Sequence, residues 1–420
     1  MKPAYVSHDR KNLDNDAAVT TIFIWNYAAN ILTSRHPKCS LLCTAMLLYA
    51  GVALLPAYAM AGSQLPGNEC ADSEAIRFRG FTTRLENDLF ANTDHGYTNG
   101  VSVTAISNDI PAEIDPKCLP WPVQLHSALL RRYDPKYWQD GGNVARAQNV
   151  VVKFGQSMYT PVDRKRTDLI TGDRPYAGLL YVGLSWNRRR LNPQTKVETL
   201  DTREITLGMI GPLSLAHQAQ DLVHGMRGIE KFQGWQNQLG NEPALQLARE
   251  QKYRDYSGPS KQIPGFSSDT IRVFGLRLGN IETSASYGVE GRIGWNLPND
   301  FGSYPIRPGA ENRPPATPAA HTEGGLVRTA SSIRTGAHLF ASLEGRFVAY
   351  DFTLDGNLLR DSHSVTRRPL VGQAAFGFSV QGPLAGHGAK LAVMRVIRSR
   401  EFEEQGSHPI FGSVALSIEF

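Results

Sequence analysis

The C-terminal stretch SVALSIEF, residues 413–420, decides the fold class of this chain. Apolar side chains occupy every second position, and the stretch ends on an aromatic residue, Phe420. Because successive side chains of a β-strand point to opposite faces, this strand has one apolar face and one small or polar face. The same alternation recurs in residues 287–295 and 339–349, where charged residues oppose the apolar face. Strands of this kind separate two different environments.

A soluble β-sandwich and a membrane β-barrel both produce such strands. An apolar run in residues 41–61 favours the barrel, because it follows two cations and ends in small residues, as a secretory signal peptide does. A single transmembrane anchor is the alternative for this run. A terminal strand that ends in Phe also resembles those of bacterial outer-membrane barrels. We expect a leader and signal peptide in residues 1–61, a periplasmic segment in 62–76 and an outer-membrane barrel in 77–420.

The expected fold is all-β: a twelve-stranded antiparallel transmembrane β-barrel with a short helix in an extracellular loop. An even number of strands places both chain ends on the periplasmic side. The predicted strands lie near residues 77–88, 97–107, 149–159, 177–187, 202–211, 269–279, 284–295, 335–345, 346–354, 369–380, 389–400 and 410–420.

This strand count assigns the connections to the two ends of the barrel. The predicted outer segments are 89–96, 160–176, 212–268 and 296–334, and the 108–148 connection is predicted to be periplasmic. Cys118 lies in that connection, and Cys70 precedes the first strand on the same side. The two cysteines are therefore placed for a disulfide in an oxidising compartment, with two unlinked thiols as the alternative.

Composition and motifs exclude several classes of function. A net charge of +5 on 420 residues, without a dense Lys/Arg tract, does not suggest a nucleic-acid partner. The sequence has no G-x-S-x-G nucleophile elbow, no H-E-x-x-H and no C-x-x-C motif. A covalent serine mechanism therefore lacks support in the sequence.

Three groups of residues carry candidate chemistry. Asn87, Asp88 and Thr98 place oxygen donors at the outer end of one predicted hairpin, as a hard cation requires, although the same residue types build ordinary turns. Three consecutive cations, residues 164–166, precede a second stretch, 172–178, on an outer loop and could pair with lipid phosphates; a solvated basic loop is the alternative.

The third group lies on a predicted amphipathic helix within residues 212–240. Its apolar residues recur at helical spacing, and His217, Gln220 and His224 fall on another face. One interpretation is a helix that packs on the barrel rim with two surface histidines. The other is a helix that presents Gln220 and His224 over a cleft, with His224 as general base and Glu230 orienting the imidazole or binding a cation.

In this order the motifs resemble the lipid A 3′-O-deacylase (LpxR) family of outer-membrane barrels, from about residue 78 to 420. The resemblance rests on Asn87-Asp88, Tyr97-Thr98-Asn99-Gly100, Gly172-Asp173-Arg174-Pro175-Tyr176-Ala177-Gly178, Ile210-Gly211-Pro212, Gln220, His224, Glu230-Lys231 and Trp235.

The resemblance implies a calcium-dependent ester hydrolase that acts on lipid A of lipopolysaccharide in the outer membrane. It implies that His224 activates water beside Gln220, and that Ca²⁺ is held near Asn87, Asp88 and Thr98, with Glu230 as a further candidate. The substrate-binding candidates are Lys165 and Arg174, with Arg164 or Arg166 as alternatives to Lys165. We expect a monomer.

The same motifs and scaffold also permit two other functions. A barrel phospholipase or another acyl esterase would use the same motifs, since these define the chemistry better than the leaving group. A non-catalytic channel or adhesin would use the same scaffold for a different purpose. The acyl position that is cleaved does not follow from the sequence.

Overall fold

The structure is a computed structural model and describes residues 76–88, 96–110, 118–259, 263–303, 305 and 334–420. All of them belong to one compact unit, Ala53–Phe420. The expected leader and signal peptide, residues 1–61, and Cys70 lie outside the described residues. Cys118 is disulfide-bonded.

The described residues form twelve strands in one closed antiparallel barrel, as the alternating pattern predicted. β1 closes the cylinder against β12, in register from Gly80 opposite Glu419 to Asn87 opposite Gly412. The strands are β1 Phe78–Asn87, β2 Gly96–Ser107, β3 Val144–Thr160, β4 Ala177–Leu191, β5 Glu198–Ile210, β6 Glu242–Pro259, β7 Phe266–Gly279, β8 Glu282–Trp295, β9 Gly336–Asp351, β10 Leu370–Leu384, β11 His387–Arg398 and β12 Ile410–Glu419.

The predicted number of strands was right, but the predicted positions were wrong at two places. β6 was missed, and the two predicted strands 335–345 and 346–354 are one strand, β9. The reason is electrostatic: the inward side of β6 carries Glu250, Lys252 and Arg254, which read as a polar loop in the sequence. In the barrel, Lys252 pairs with Glu250 at 3.1 Å, and Arg254 pairs with Asp269 of β7 at 2.7 Å.

The missed strand changes the side of the later connections. We call the end where β1 begins and β12 finishes the terminal end, and the opposite end the outer end. Because each antiparallel strand reverses direction, the connection after β8 begins and ends at the terminal end. The prediction that 296–334 lies on the outer face was therefore wrong. The predicted outer segment 212–268 is likewise divided by β6, and only its residues 212–241 lie at the outer end.

The helices lie in the connections. α1 Trp121–Tyr133 and a 3₁₀ helix Pro135–Trp138 belong to the β2–β3 connection at the terminal end. α2 Ala216–Arg227 belongs to the β5–β6 connection at the outer end, and α3 Phe352–Asp355 follows β9. Within the described ranges, no helix combines the length and apolarity that a membrane crossing requires.

The barrel wall has an apolar outside and an ionic inside. Large apolar side chains of alternate strand positions are exposed, among them Leu278, Tyr287, Leu339 and Leu343. Charged residues on the other face are buried and paired, as in the ion pairs Lys153–Glu204, Arg292–Asp269 and Arg346–Glu282. An apolar outer band around a polar interior is the pattern of a barrel that lies in lipid.

Candidate active site

The strand ends at the outer rim form one aligned row. Asn87 of β1 lies between Gly412 of β12 and Asn99 of β2. Asn99 in turn lies opposite Met158 of β3, and Met158 lies opposite Gly178 of β4. Since neighbouring strands are about 4.8 Å apart, this register places the backbone of Asn87 about 10 Å from that of Met158.

The start of α2 is fixed against this row at β3 and β4. Gln156 of β3 donates its amide N–H to the carbonyl oxygen of Ser214 at 2.6 Å. A β-carbon at position 178 would collide with Ser214 Oγ and Ala216 Cβ, so only glycine permits this approach. Gly178, the last residue of the 172–178 stretch, therefore has a packing role, because it lets the start of α2 approach the strand.

α2 buries its polar face and exposes its apolar face. Gln220 and His224 are both buried, whereas 61% of Leu222 and 39% of Met226 are exposed. This is the reverse of a helix that packs on a rim through its apolar residues. The structure thus favours the interpretation in which α2 presents Gln220 and His224 toward the barrel wall, and of the three polar residues His217 alone remains partly exposed.

His224 is oriented by a backbone group. Its Nδ1 lies 2.9 Å from the carbonyl oxygen of Glu230. A carbonyl can only accept, so Nδ1 carries the proton and donates, and the neutral ring keeps its lone pair on Nε2. The Glu230 carboxylate is exposed, so the residue expected to orient the imidazole does so through its main chain.

Gln220 is oriented by Trp235. The indole N–H of Trp235 donates to Gln220 Oε1 at 2.7 Å. Because indole is a donor only, this contact fixes which end of the amide is oxygen. The amide nitrogen of Gln220 is buried and has no protein acceptor among the described residues. A donor that is held in place beside His224 is therefore available to a ligand.

An aromatic cluster supports both side chains. Tyr176, Phe232 and Trp235 pack with Met158 and Ala216 in one buried group. The ring of Phe232 lies 5.8 Å from that of His224. Burial raises the pKa of Tyr176 to about 12, so its phenol stays neutral and does not compete as a base. Phe232 belongs to none of the motifs predicted from the sequence; its signal there is the aromatic pair 232 and 235 that follows the helix.

The candidate cation donors lie on the same rim. β1 ends at Asn87, and Asp88 follows it; both side chains are buried. The pairing of β2 with β3 slips between Tyr97 and Asn99, which places a bulge at Thr98, whose side chain lies outside the described part. Neighbouring residues in a regular strand point to opposite faces. The strand end removes that restriction for Asn87 and Asp88.

The chemistry of this donor set fits a hard cation, which prefers carboxylate, amide and backbone oxygens. Across the described ranges, no group of three or more His, Cys, Asp and Glu side chains is arranged to hold a metal ion. A cation at Asn87 and Asp88 would therefore depend on amide, hydroxyl and main-chain oxygens as well.

The basic residues separate into two kinds. Arg174 is buried and pairs with Glu401 at 2.5 Å, so its guanidinium joins the β3–β4 loop to the β11–β12 loop. That contact favours a packing role over the expected substrate contact. Lys165 is exposed, whereas Arg166 pairs with Asp168 in the same loop. Arg164 lies 5.8 Å from the ring of Phe232, close to the His224 cluster.

Comparison with known proteins identifies this architecture. The family model described as outer membrane protein LpxR matches residues 42–420. The chain belongs to the LpxR family. The solved structure of LpxR from Salmonella typhimurium is similar in fold, with a TM-score of 0.56 at 17% sequence identity, covering 81% of this chain and 100% of that one.

Other matches are distant. The β domain of the Bordetella autotransporter BrkA has a TM-score of 0.35 at 8% identity, covering 82% of this chain and 100% of its own. The translocator domain of NalP from Neisseria meningitidis also has a TM-score of 0.35 at 8% identity, covering 92% of this chain and 99% of its own. No curated protein sequence matches the chain. As an LpxR-family protein, the chain is located in the outer membrane, and its apolar band is the part that faces lipid.

Proposed function

We propose that this LpxR-family protein is a hydrolase that removes an acyl chain from lipid A at the outer rim of its barrel. The observation that carries the proposal is the buried polar face of α2. His224 with a lone pair on Nε2 and Gln220 with an available amide N–H stand one helical turn apart beside a lipid-facing wall. Ester hydrolysis by water uses a general base to activate the water and a fixed donor to stabilise the oxyanion.

In this reaction His224 Nε2 accepts a proton from a water molecule, and the water oxygen forms a bond to the ester carbonyl carbon. The Glu230 carbonyl accepts a hydrogen bond from Nδ1–H throughout and stabilises the imidazolium that forms. The Gln220 N–H donates to the carbonyl oxygen as negative charge develops there. When the C–O bond breaks, His224 returns its proton to the leaving alkoxide, so that a carboxylic acid and an alcohol result.

The residues that would hold Ca²⁺ are Asn87 and Asp88, with Thr98 and Glu230 as further donors. A bound Ca²⁺ supplies Lewis-acid stabilisation of an oxyanion. Lys165, exposed on the β3–β4 loop, is proposed to bind a phosphate of lipid A. The carboxylic acid that is released is proposed to be the acyloxyacyl chain from the 3′ position.

The exposed apolar face of α2 suits a lipid substrate. Leu222 and Met226 of α2 flank the buried His224 in the sequence and are exposed, and Leu213 and Leu215 just before the helix are exposed as well. Exposed apolar side chains beside a site mark contact with lipid or with an apolar ligand. An acyl chain that lies along this face would bring its ester to the rim without leaving an apolar environment.

The test is mass spectrometry of lipid A after incubation with purified protein, with and without Ca²⁺. His224→Ala should lower kcat by at least about 100-fold, the usual contribution of a general base. Gln218→Ala, at an exposed position of the same helix, is the matched control and should retain activity. Loss of fatty acid from phospholipid but not from lipid A would instead identify a phospholipase. Equal activity in the His224 variant would refute the mechanism.

A further inference from the structure

The outward side chains of β3, β4 and β5 change from apolar to charged at one level near the terminal end. Lys153, Ser185 and Glu204 meet in the lumen, so the residues on either side of them face outward. Along β4 the outward residues are apolar as far as Trp186, and Arg188 follows. In register with Trp186, the outward residue of β5 is already Arg203. The lipid-facing band of the barrel therefore ends at this level.

The connection between β2 and β3 covers the charged level from outside. The Tyr137 hydroxyl donates to the Trp186 carbonyl at 2.8 Å. Arg188 pairs with Asp140 at 3.0 Å, and Arg203 pairs with Asp134 at 2.7 Å. These bonds fix the connection to the barrel wall at the point where the wall leaves the apolar band.

α1 is held by one face at this boundary. Val123 and Leu130 pack with Tyr137, Val150 and Trp186, and Leu184 borders the same cluster. His126 and Ser127 are buried on the same side of the helix. Leu184 is the next outward residue of β4 from Trp186 toward the outer end. α1 therefore lies directly beside the edge of the lipid-facing band that is nearer the terminal end.

The free face of α1 is apolar. Trp121 is 74% exposed, Leu125 53% and Leu129 36%, and their spacing of four residues aligns them in one stripe. The exposed face of a helix that meets water is polar instead. The last turn carries Arg131 and Arg132, and Tyr133 is 77% exposed. Trp, Tyr and cations beside Leu are the composition of a helix at a membrane surface.

We propose that α1 is an interfacial membrane anchor. It lies along the surface of the phospholipid leaflet at the terminal end of the barrel. Trp121, Leu125 and Leu129 enter the boundary between head groups and acyl chains, and Arg132 binds lipid phosphate. The occupant of the stripe is lipid because the stripe continues this edge of the lipid-facing band, and because its cations complement phosphate. This surface is separate from the outer rim and does not depend on the proposed hydrolysis.

Spin labels on the whole protein in phospholipid bilayers test the anchor. Leu125→Cys and Leu129→Cys carry a nitroxide in the stripe. Thr195→Cys, in the exposed β4–β5 turn at the same end, is the matched control. Wild-type protein taken through the labelling gives the background, and heat-modifiable migration on gels confirms that each variant is folded. The measurement is the ratio of collisions with oxygen, which concentrates in lipid, to collisions with a water-soluble nickel chelate.

An apolar helix face at an interface is buried about 5–10 Å into the boundary between head groups and acyl chains. The labels at 125 and 129 should therefore give an oxygen-to-nickel ratio several-fold higher than the label at 195. A ratio equal to that of the control would show that the stripe faces water and would overturn the proposal. Labels shielded from both reagents would show that a protein covers the stripe, which would also overturn it.

Discussion

The amide of Gln220 can present either its oxygen or its nitrogen to a ligand, and Trp235 decides between them. Because the indole N–H holds the oxygen, the nitrogen remains available to a ligand. Gln220→Ala should lower kcat by about 100-fold, the effect of removing one oxyanion donor. Gln218→Ala, at an exposed position of the same helix, should leave kcat unchanged. Steady-state kinetics on lipid A measures both, and an equal effect of the two changes would show that Gln220 acts through helix stability.

The buried pair of Arg174 and Glu401 gives a prediction about pH. Burial by itself would raise the pKa of Glu401, but the positive charges of Arg174 and Arg398 outweigh it and lower the pKa to about 2. A carboxylate with a depressed pKa contributes stability that is complete above its unfolded value of 4.5 and is lost as the pH falls toward 2.

Glu401→Gln should therefore lower the free energy of unfolding at neutral pH by about 3–5 kcal/mol, because Arg174 is left buried without its partner. The difference from wild type should be constant above pH 4.5 and should shrink between pH 4.5 and pH 2. Urea unfolding of the refolded barrel across this range measures it. Glu403→Gln, in the same loop but with an exposed ion pair to Arg368, is the control and should change stability little. A difference that grows on acidification would contradict the assignment.

Among the secondary structure elements, α2 depends on a single glycine of β4. A side chain at position 178 would push the first turn of α2 away from the wall, and Gln220 and His224 would move with it. Gly178→Ala should therefore lower kcat strongly while the barrel still folds, since the change lies at a strand end. Gly225→Ala meets open space in the same helix and should be tolerated. Turnover and heat-modifiable migration, measured in parallel, separate a displaced helix from an unfolded barrel.

The same elements show how far the sequence can predict this structure. Alternation sufficed for β8 and β12, where most of the outward face is apolar. It failed for β6, because the sequence does not show that Glu250, Lys252 and Arg254 each meet an opposite charge on the lumen side of the wall. One missed strand was then enough to place residues 296–334 at the wrong end. Local patterning predicts a strand where the outward face is apolar, and it fails where, as in β6, the outward face also carries charges such as Arg249 and Asp255.

The candidate site was predictable to a similar degree. Helical spacing placed Gln220 and His224 on one face of α2 correctly. It did not show that this polar face is the buried one, since that depends on the fixed approach of α2 to Gly178. It also did not separate the exposed Lys165 from the buried Arg174, whose partner Glu401 is 227 residues away in the chain. Contacts between distant loops of a barrel leave no local pattern in the sequence.

For the whole molecule, the segment after β8 decides whether the barrel is open. Asn299 accepts hydrogen bonds from Arg189 of β4 and Arg254 of β6. Asp300 pairs with Arg292 of β8 and with Lys390 of β11. Because these four strands stand on different sides of the cylinder, the segment must cross the lumen. Phe301 is fully buried within it.

A segment that crosses the lumen argues against a channel and predicts the electrical behaviour of the protein. Wild-type protein in planar bilayers should show no steady conductance. The double change Asn299→Ala and Asp300→Ala removes the bonds to Arg189, Arg254 and Lys390, so we expect this segment to leave the lumen and current steps to occur. Arg292 retains Asp269, which keeps the wall itself intact.

Single-channel recording at both polarities measures the effect, and Asp255→Asn, in an exposed ion pair with Arg272 outside the lumen, is the control. Steady conductance in the wild type would mean that the segment does not seal the barrel and would restore the channel as a candidate function. Silence in the double variant would mean that the ion pairs of the wall close the lumen without this segment. The lipid A assay should be unaffected in both cases, because the α2 site lies at the other end of the strands.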